Sequence, residues 1–168
     1  YNQIKFCTLE NIDTTCPILP FKVKLIPGEV YNIKALISMG SPHSRELVII
    51  DPYIYNKKAI FNLQKIVENQ FFSKVRIKAL PFDKIISKQT KTSSRFDLNY
   101  FDDLVGKLER NGSKVEIEHF ETSEHQQRYI QFDEVQIEVP GGLDFLDFKG
   151  KYSETKEVGY LRFEFREF

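Results

Sequence analysis

The strongest constraint on the fold is a short apolar run that is followed by a helical pattern and then by an alternating segment. The run Glu46–Ile50 lacks a polar side, so it predicts a strand that is covered on both faces. Residues 57–70 carry apolar side chains at helical spacing after Asn56, a residue type that caps helices well. Residues 74–80 alternate as a strand does. The order strand, helix, strand predicts a parallel crossover unit.

Other segments on both sides of this unit complete the predicted fold. In chain order they are a strand at 21–25, a helix at 30–37, a loop at 81–96, a helix capped by Asp97, and strands at 114–119, 127–132, 134–139 and 158–165. The last three strands follow one another without helices, so they predict antiparallel pairing. The fold class is therefore α/β, with a central mixed β-sheet flanked by helices.

The length and charge of the chain limit its organisation and its partners. The chain has 168 residues, which suits one domain with a substantial core. We expect a lead-in or linker with an edge strand at residues 1–27 and one domain at residues 28–168. Because the sequence begins with Tyr1, we also expect that another domain of the parent protein is missing. Lys plus Arg and Asp plus Glu both number 24, so a polyanion would have to bind a local basic patch.

The reactive residues do not indicate a metal or a cofactor. Cys7 and Cys16 are too few for a disulfide framework or a four-cysteine metal site, and we expect both to be reduced. The three histidines lack metal-ligand spacing, and there is no glycine-rich phosphate loop. No apolar stretch reaches the ~18 residues of a membrane span. We expect a cytoplasmic protein without cofactors, with peripheral membrane association as an open alternative.

One segment nearly matches the phosphodiesterase motif His-x-Lys/Arg-x4-Asp. Arg128 and Asp133 have the spacing of the motif, but Gln126 occupies the histidine position and His125 lies one residue too early. Neighbouring side chains of an extended segment point to opposite faces, so His125 would need a bulge to join Arg128. The candidate catalytic residues are thus His125 as nucleophile, Arg128 as cation and Asp133 as a structural acceptor.

Cations and glycines elsewhere are candidates for holding an anion. Pro140-Gly141-Gly142 predicts a sharp turn after a strand, and free backbone amides of this turn could hold an anion together with Arg128. The alternative is a turn with a structural role alone. The predicted loop at 81–96 is locally basic, and its candidate phosphate contacts are Lys84, Lys88, Lys91 and Arg95.

Three short segments follow strands of the predicted fold or form part of one. They are Ile50-Asp51-Pro52-Tyr53-Ile54, Arg128-Tyr129-Ile130-Gln131-Phe132 and Gly142-Leu143-Asp144-Phe145. In their order and spacing they resemble the phospholipase-D-like domain found at the C-terminus of microtubule-interacting-and-transport (MIT) proteins. The resemblance covers residues 28–168 and implies a phospholipase-D-like fold that is commonly dimeric. It also implies the behaviour of the animal members, which bind phosphoinositide-bearing membranes and hydrolyse nothing. The chain resembles a divergent member, because Gln126 stands where the family has a histidine and Pro140-Gly141 stands where it has Gly-Arg.

These observations lead us to expect a non-catalytic binding or assembly module. Its ligand would be a phosphoinositide membrane, another polyanion or a protein partner. The resemblance further implies that the protein forms a homodimer. Two alternatives stay open. One is a single-motif phosphodiesterase or nuclease that dimerises to complete its site, and the other is a protein-interaction domain with no small ligand.

Overall fold

The computed structural model describes residues 20–38, 44–88, 93–121, 127–133, 135–139 and 141–165. Its strands are β1 (Phe21–Leu25), β2 (Glu46–Ile50), β3 (Lys74–Ala79), β4 (Lys114–His119), β5 (Tyr129–Phe132), β6 (Val135–Glu138) and β7 (Gly159–Phe165). Its helices are α1 (Ile33–Ser38), α2 (Lys57–Val67), α3 (Phe82–Lys88) and α4 (Leu98–Arg110). Two 3₁₀ turns lie at Ser93–Arg95 and Leu143–Phe145.

The strands form one seven-stranded sheet in the order β1-β7-β6-β5-β2-β3-β4. β2, β3 and β4 are parallel, which confirms the predicted crossover unit. The other neighbouring strands are antiparallel, as predicted for the late part of the chain. β1 and β4 are the two edges of the sheet, and β2 joins its parallel half to its antiparallel half. The predicted α/β class with a mixed sheet is confirmed.

The described helices cover one face of the sheet. The connections from β2 to β3 and from β3 to β4 proceed in the same direction across the sheet, so right-handed crossovers place α2 and α4 on the same side. α1 packs against α2. α3 joins this layer because its Phe82 meets Tyr55, which also packs edge-on against Phe101 of α4. Leu47 and Ile49 of β2 are buried under the helices. Each such side chain stabilises the fold by ~1.5–3 kcal/mol.

The opposite face, here called the open face, is not covered by any helix in the described part of the chain. Val48 and Ile50 of β2 point to it and are half-buried, so the predicted burial of this strand on both faces is wrong. Arg76 and Lys78 of β3 and Gln131 of β5 line a shallow pocket of ≈ 200 Å³ around this apolar pair. Their long side chains shield the two apolar residues in place of a second helical layer.

Side-chain caps start the two long helices where the sequence predicted them. The side chain of Asn56 accepts a hydrogen bond from the amide of Lys58 (2.9 Å), and that of Asp97 accepts one from Tyr100 (2.9 Å). The end of α2 differs from the prediction, because the helix stops at Val67 and Asn69 has a left-handed φ of 60°.

Two early predictions need correction. α1 begins at Ile33 and not at residue 30, because Val30 pairs with Lys151 in an isolated antiparallel bridge. The predicted loop at residues 81–96 contains α3 and a 3₁₀ turn. α3 is short and buries Ile85 alone fully, so its sequence shows too little periodicity to indicate a helix. None of the described helices is long and apolar enough to cross a membrane.

Candidate functional site

Three predicted site residues, Arg128, Gly141 and Gly142, meet at the carboxyl end of β2. Here β2 has a parallel neighbour on one side and an antiparallel neighbour on the other, and open α/β sheets bind ligands outside the carboxyl ends of their strands. Three loops meet at this place, and together we call them the carboxyl edge. Their described residues follow β2 (51–56), precede β5 (127–128) and follow β6 (139 and 141–146).

Asp51 is the buried centre of the carboxyl edge. Its side chain is only 4% exposed, and its two carboxylate oxygens accept hydrogen bonds from the amides of Tyr53 (2.9 Å) and Leu143 (2.8 Å). Burial raises the pKa of Asp51 above its usual value, against the two amide hydrogen bonds and the positive charge of Arg128, which lower it. The carboxylate is therefore tied into the fold and sensitive to the charge beside it.

Gly142 passes so close to this carboxylate that no other residue fits. It has a φ of 98° and a ψ of −177°, a combination that is essentially restricted to glycine. A Cβ at this position would lie 2.7 Å from Oδ2 of Asp51 and 3.1 Å from Cδ of Arg128. The glycine predicted to allow a close approach therefore does so, and the group that approaches is a carboxylate of the protein itself.

Arg128 lies across the mouth of the carboxyl edge and is half-buried. Its guanidinium carbon is 5.4 Å from the centre of the Tyr53 ring, and its Nη1 donates a hydrogen bond to the carbonyl of Gly141. The positive charge acts on Asp51. A guanidinium has five N–H donors, and these contacts within the described residues use few of them. Arg128 is thus oriented by its neighbours and retains donors for a ligand.

Lys156 is a second cation at this place, and the sequence did not predict it. Its ammonium lies 3.6 Å from the point that a Cβ on Gly141 would occupy. It also lies 5.7 Å from the ring centre of Tyr152. Gly141 and Lys156 are both exposed, so this side of the turn is open to solvent. A lysine in a surface turn gives no sequence signal of its own, and the fold alone brings it to Gly141.

The turn that carries Gly142 is fixed to α2 by two asparagines. Asn62 is buried, and its amide nitrogen donates to the carbonyls of Leu143 (2.7 Å) and Leu146 (3.0 Å). Asn56, the cap of α2, donates to Asp144 (3.1 Å). The carboxyl edge is consequently a rigid structure, held by long-range hydrogen bonds between β2, α2 and the turn after β6.

Two backbone amides of this turn have partners inside the protein. Gly142 N donates to the carbonyl of Val139 (3.4 Å), and Leu143 N donates to Asp51. Of the two glycines predicted to hold an anion, Gly142 therefore uses its amide within the fold, and an external anion there would rely on side-chain cations.

The remaining predicted site residues lie elsewhere. Asp133 follows the other end of β5, about 16 Å from Arg128 by strand geometry, and accepts hydrogen bonds from the amides of Arg45 and Glu46 (both 3.2 Å). Asp133 is thus a hydrogen-bond acceptor at the start of β2. Arg95 is exposed and precedes Phe96, whose ring centre is 6.5 Å from that of Tyr53, so it borders the carboxyl edge.

The basic residues of α3 and two residues outside the described part of the chain complete the set of candidates. Lys84 donates to the carbonyl of Glu121 (3.3 Å), and Lys88 is exposed at the end of α3. No described contact links either lysine to Arg128. His125 and Lys91 lie outside the described residues, as do both cysteines.

The described residues hold no group of three or more potential metal-ligating side chains. In comparisons with known proteins, no family model matches this chain and no curated protein matches it. The geometry of the carboxyl edge is therefore the guide to what this chain binds.

Proposed function

We propose that this chain is a non-catalytic binding module of the phospholipase-D-like type, which recognises phosphate-bearing ligands at the carboxyl edge. The observation that carries the proposal is the convergence of the three segments on which the resemblance rests. Asp51 and Tyr53, Arg128, and Gly142 and Leu143 are far apart in sequence, yet they contact one another at this place.

The chemistry of the carboxyl edge supports a phosphate ligand. Arg128 offers a planar set of donors that suits a phosphate, and its stacking on Tyr53 fixes its orientation before a ligand arrives. Lys156 adds a second positive charge beside the exposed Gly141. A charged hydrogen bond of this kind contributes ~1.5–3 kcal/mol, or roughly tenfold to a hundredfold in affinity.

A binding role is favoured over hydrolysis by the environment of the carboxylate that lies beside Arg128. Asp51 accepts two amide hydrogen bonds and is shielded from solvent, so it is placed to support the turn and not to activate water.

Titrations with inositol hexakisphosphate and with vesicles test the proposal. The vesicles contain phosphatidylcholine with or without a phosphatidylinositol phosphate, so that a free phosphate ligand and a lipid headgroup are distinguished. We expect saturable binding by the wild-type protein to at least one of these probes, and a loss of affinity of about tenfold or more in Arg128→Ala.

Two further variants keep this experiment interpretable. Arg110→Ala removes an exposed arginine at the end of α4 and should leave binding unchanged. Lys156→Ala removes an exposed charge, should preserve the fold, and should weaken binding less than the loss of Arg128. The proposal is wrong if the wild-type protein binds none of the probes. It is also wrong if Arg110→Ala and Lys156→Ala each lose as much affinity as Arg128→Ala.

A further inference from the structure

The two lateral edges of the sheet display opposite charges on the open face. At β1 these side chains are Lys22 and Lys24, and both are exposed. At β4 the corresponding side chains are Glu116 and Glu118. Hydrogen bonds from Lys114 and Lys74 lower the pKa of Glu116 to about 2, so this carboxylate remains charged under ordinary conditions. Lys114 lies on the same face two residues before Glu116, and Glu116 forms ion pairs with Lys114 (2.8 Å) and with Lys74 of β3 (2.9 Å). Glu118 is the acidic group of β4 that lies outside this cluster, and β1 carries a pair of like charges two residues apart.

The backbone of β4 offers hydrogen bonds on its outer side. Lys114 N donates to the carbonyl of Ser73 and Phe120 N to that of Ala79, both at 2.9 Å. In a parallel pair every second residue faces its neighbour, so the backbone groups of the intervening residues point away from β3. The side chain of Ile117, in the middle of this outer row, is 40% exposed.

The outer side of β1 follows from the same alternation across the antiparallel half. The amide of Val139 donates to the carbonyl of Arg128 (2.9 Å). This hydrogen bond determines which opposite residues of β5 and β6 exchange backbone hydrogen bonds. The hydrogen-bonded pairs alternate in the same way from β6 to β7 and from β7 to β1. The backbone groups of Val23, and of the residues two positions before and after it, therefore point towards β7. The backbone groups of Lys22 and Lys24 therefore point outwards.

The two edges are compatible in direction, register and charge. Four antiparallel steps separate β1 from β2, so β1 runs parallel to β2 and to β4. Pairing the outer row of β4 with the outer row of β1 in parallel places Lys22 beside Glu116 and Lys24 beside Glu118. The same register sets Val23 against Ile117 on the helical side.

We propose that β4 of one copy of this chain pairs with β1 of a second copy, which extends the sheet from molecule to molecule. Pairing of two β1 edges would oppose lysine to lysine, and like charges directly opposite are destabilising. A contact between β4 and β1 is head-to-tail and produces a chain or a ring of molecules. It leaves the carboxyl edge free and does not depend on the proposed function.

Sedimentation velocity of the whole chain over a wide concentration range tests the self-association. We expect species larger than a dimer to grow with concentration and to dissociate at high salt, since exposed charge pairs are screened. A protein that stays monomeric at every concentration, or that stops at a dimer, overturns the proposal.

Charge reversal at each edge separately identifies the contact. The variant Lys22→Glu/Lys24→Glu and the variant Glu116→Lys/Glu118→Lys should each weaken self-association by about tenfold or more. An equimolar mixture of the two should associate again, because each acidic edge then finds a basic one. If the mixture remains dissociated while both variants are folded by circular dichroism, the proposed pairing is wrong.

His119→Pro provides a second route should a charge reversal impair folding. The amide of this exposed residue points away from β3, so proline costs little in the monomer but blocks an added strand. Self-association that is unchanged in this variant would exclude β4 as the contact.

Discussion

At the scale of single residues, the crowding of Gly142 against Asp51 decides the shape of the carboxyl edge. The glycine lets Leu143 place its amide on a buried carboxylate, and Arg128 closes the arrangement from the solvent side. A methyl group in this space would push the turn away from β2. A substitution of Gly142 should therefore disturb the whole site, because its Cβ would lie only 2.7 Å from Oδ2 of Asp51.

Gly142→Ala should destabilise the protein by about 2–4 kcal/mol, through the cost of an unfavourable backbone conformation and the displacement of Asp51. Urea unfolding followed by circular dichroism measures this loss. Gly106→Ala is the matched control, because Gly106 lies inside α4 and meets only the flexible end of Arg110. It should be neutral or stabilising by up to ~1 kcal/mol. Equal losses in both variants would contradict this account.

Sequence patterns identified part of this site and missed the rest for a physical reason. The motif-like segment pointed to Arg128, and the turn pointed to Gly142, because spacing and glycine content are visible in a sequence. The stacking on Tyr53 and the closeness of Lys156 to Gly141 depend on loops that the fold brings together from distant positions. Such contacts leave no local pattern.

At the scale of secondary-structure elements, capping decides where the long helices begin. Asp97 accepts a hydrogen bond from the amide of Tyr100 at the start of α4, and its carboxylate also lies 3.8 Å from the ammonium of Lys57. Both long helices were predicted from their apolar spacing and caps. α3 was not, because a helix of two turns with a single fully buried residue looks like a basic loop in sequence.

Asp97→Ala should cost about 1 kcal/mol of stability, since it removes the side-chain acceptor of the first turn of α4. Thermal unfolding measures the effect as a lower melting temperature. Asp103→Ala, an exposed substitution within the same helix, should change stability by no more than about 0.5 kcal/mol. A cap variant as stable as this control would show that Asp97 contributes nothing.

At the scale of the whole molecule, Asp51 connects the two halves of the sheet. Its carboxylate joins the end of β2 to the turn after β6, across 92 residues of sequence. The alternation of strands and helices predicted both halves. It did not predict the strand order or the open face, because these depend on which distant strands pair and on how many layers cover them.

Asp51→Asn should lower stability by about 1–3 kcal/mol, because one of the two backbone amides loses its acceptor. The size of this loss should depend on pH. Burial raises the pKa of Asp51 in the folded protein, so above pH 3.8 the folded protein keeps a proton that the unfolded chain releases. The stability that Asp51 contributes therefore falls as the pH rises through the raised pKa.

An asparagine at this position does not titrate, so its contribution to stability does not change with pH. The difference in unfolding free energy between the wild-type protein and Asp51→Asn should therefore become smaller as the pH rises. Urea unfolding at a series of pH values measures it. A difference that widens with pH would mean that the hydrogen bonds and Arg128 outweigh burial.

The pairing of β1 with β7 also has a consequence for the order in which the protein can fold during synthesis. Phe21 pairs with Phe163, so the first strand waits for a partner that is made about 140 residues later. At ribosomal rates of about 5–20 residues per second, this delay lasts roughly seven to thirty seconds. During that time Lys22 and Lys24 interrupt the apolar residues of β1, and their repulsion disfavours pairing between the β1 strands of two nascent chains.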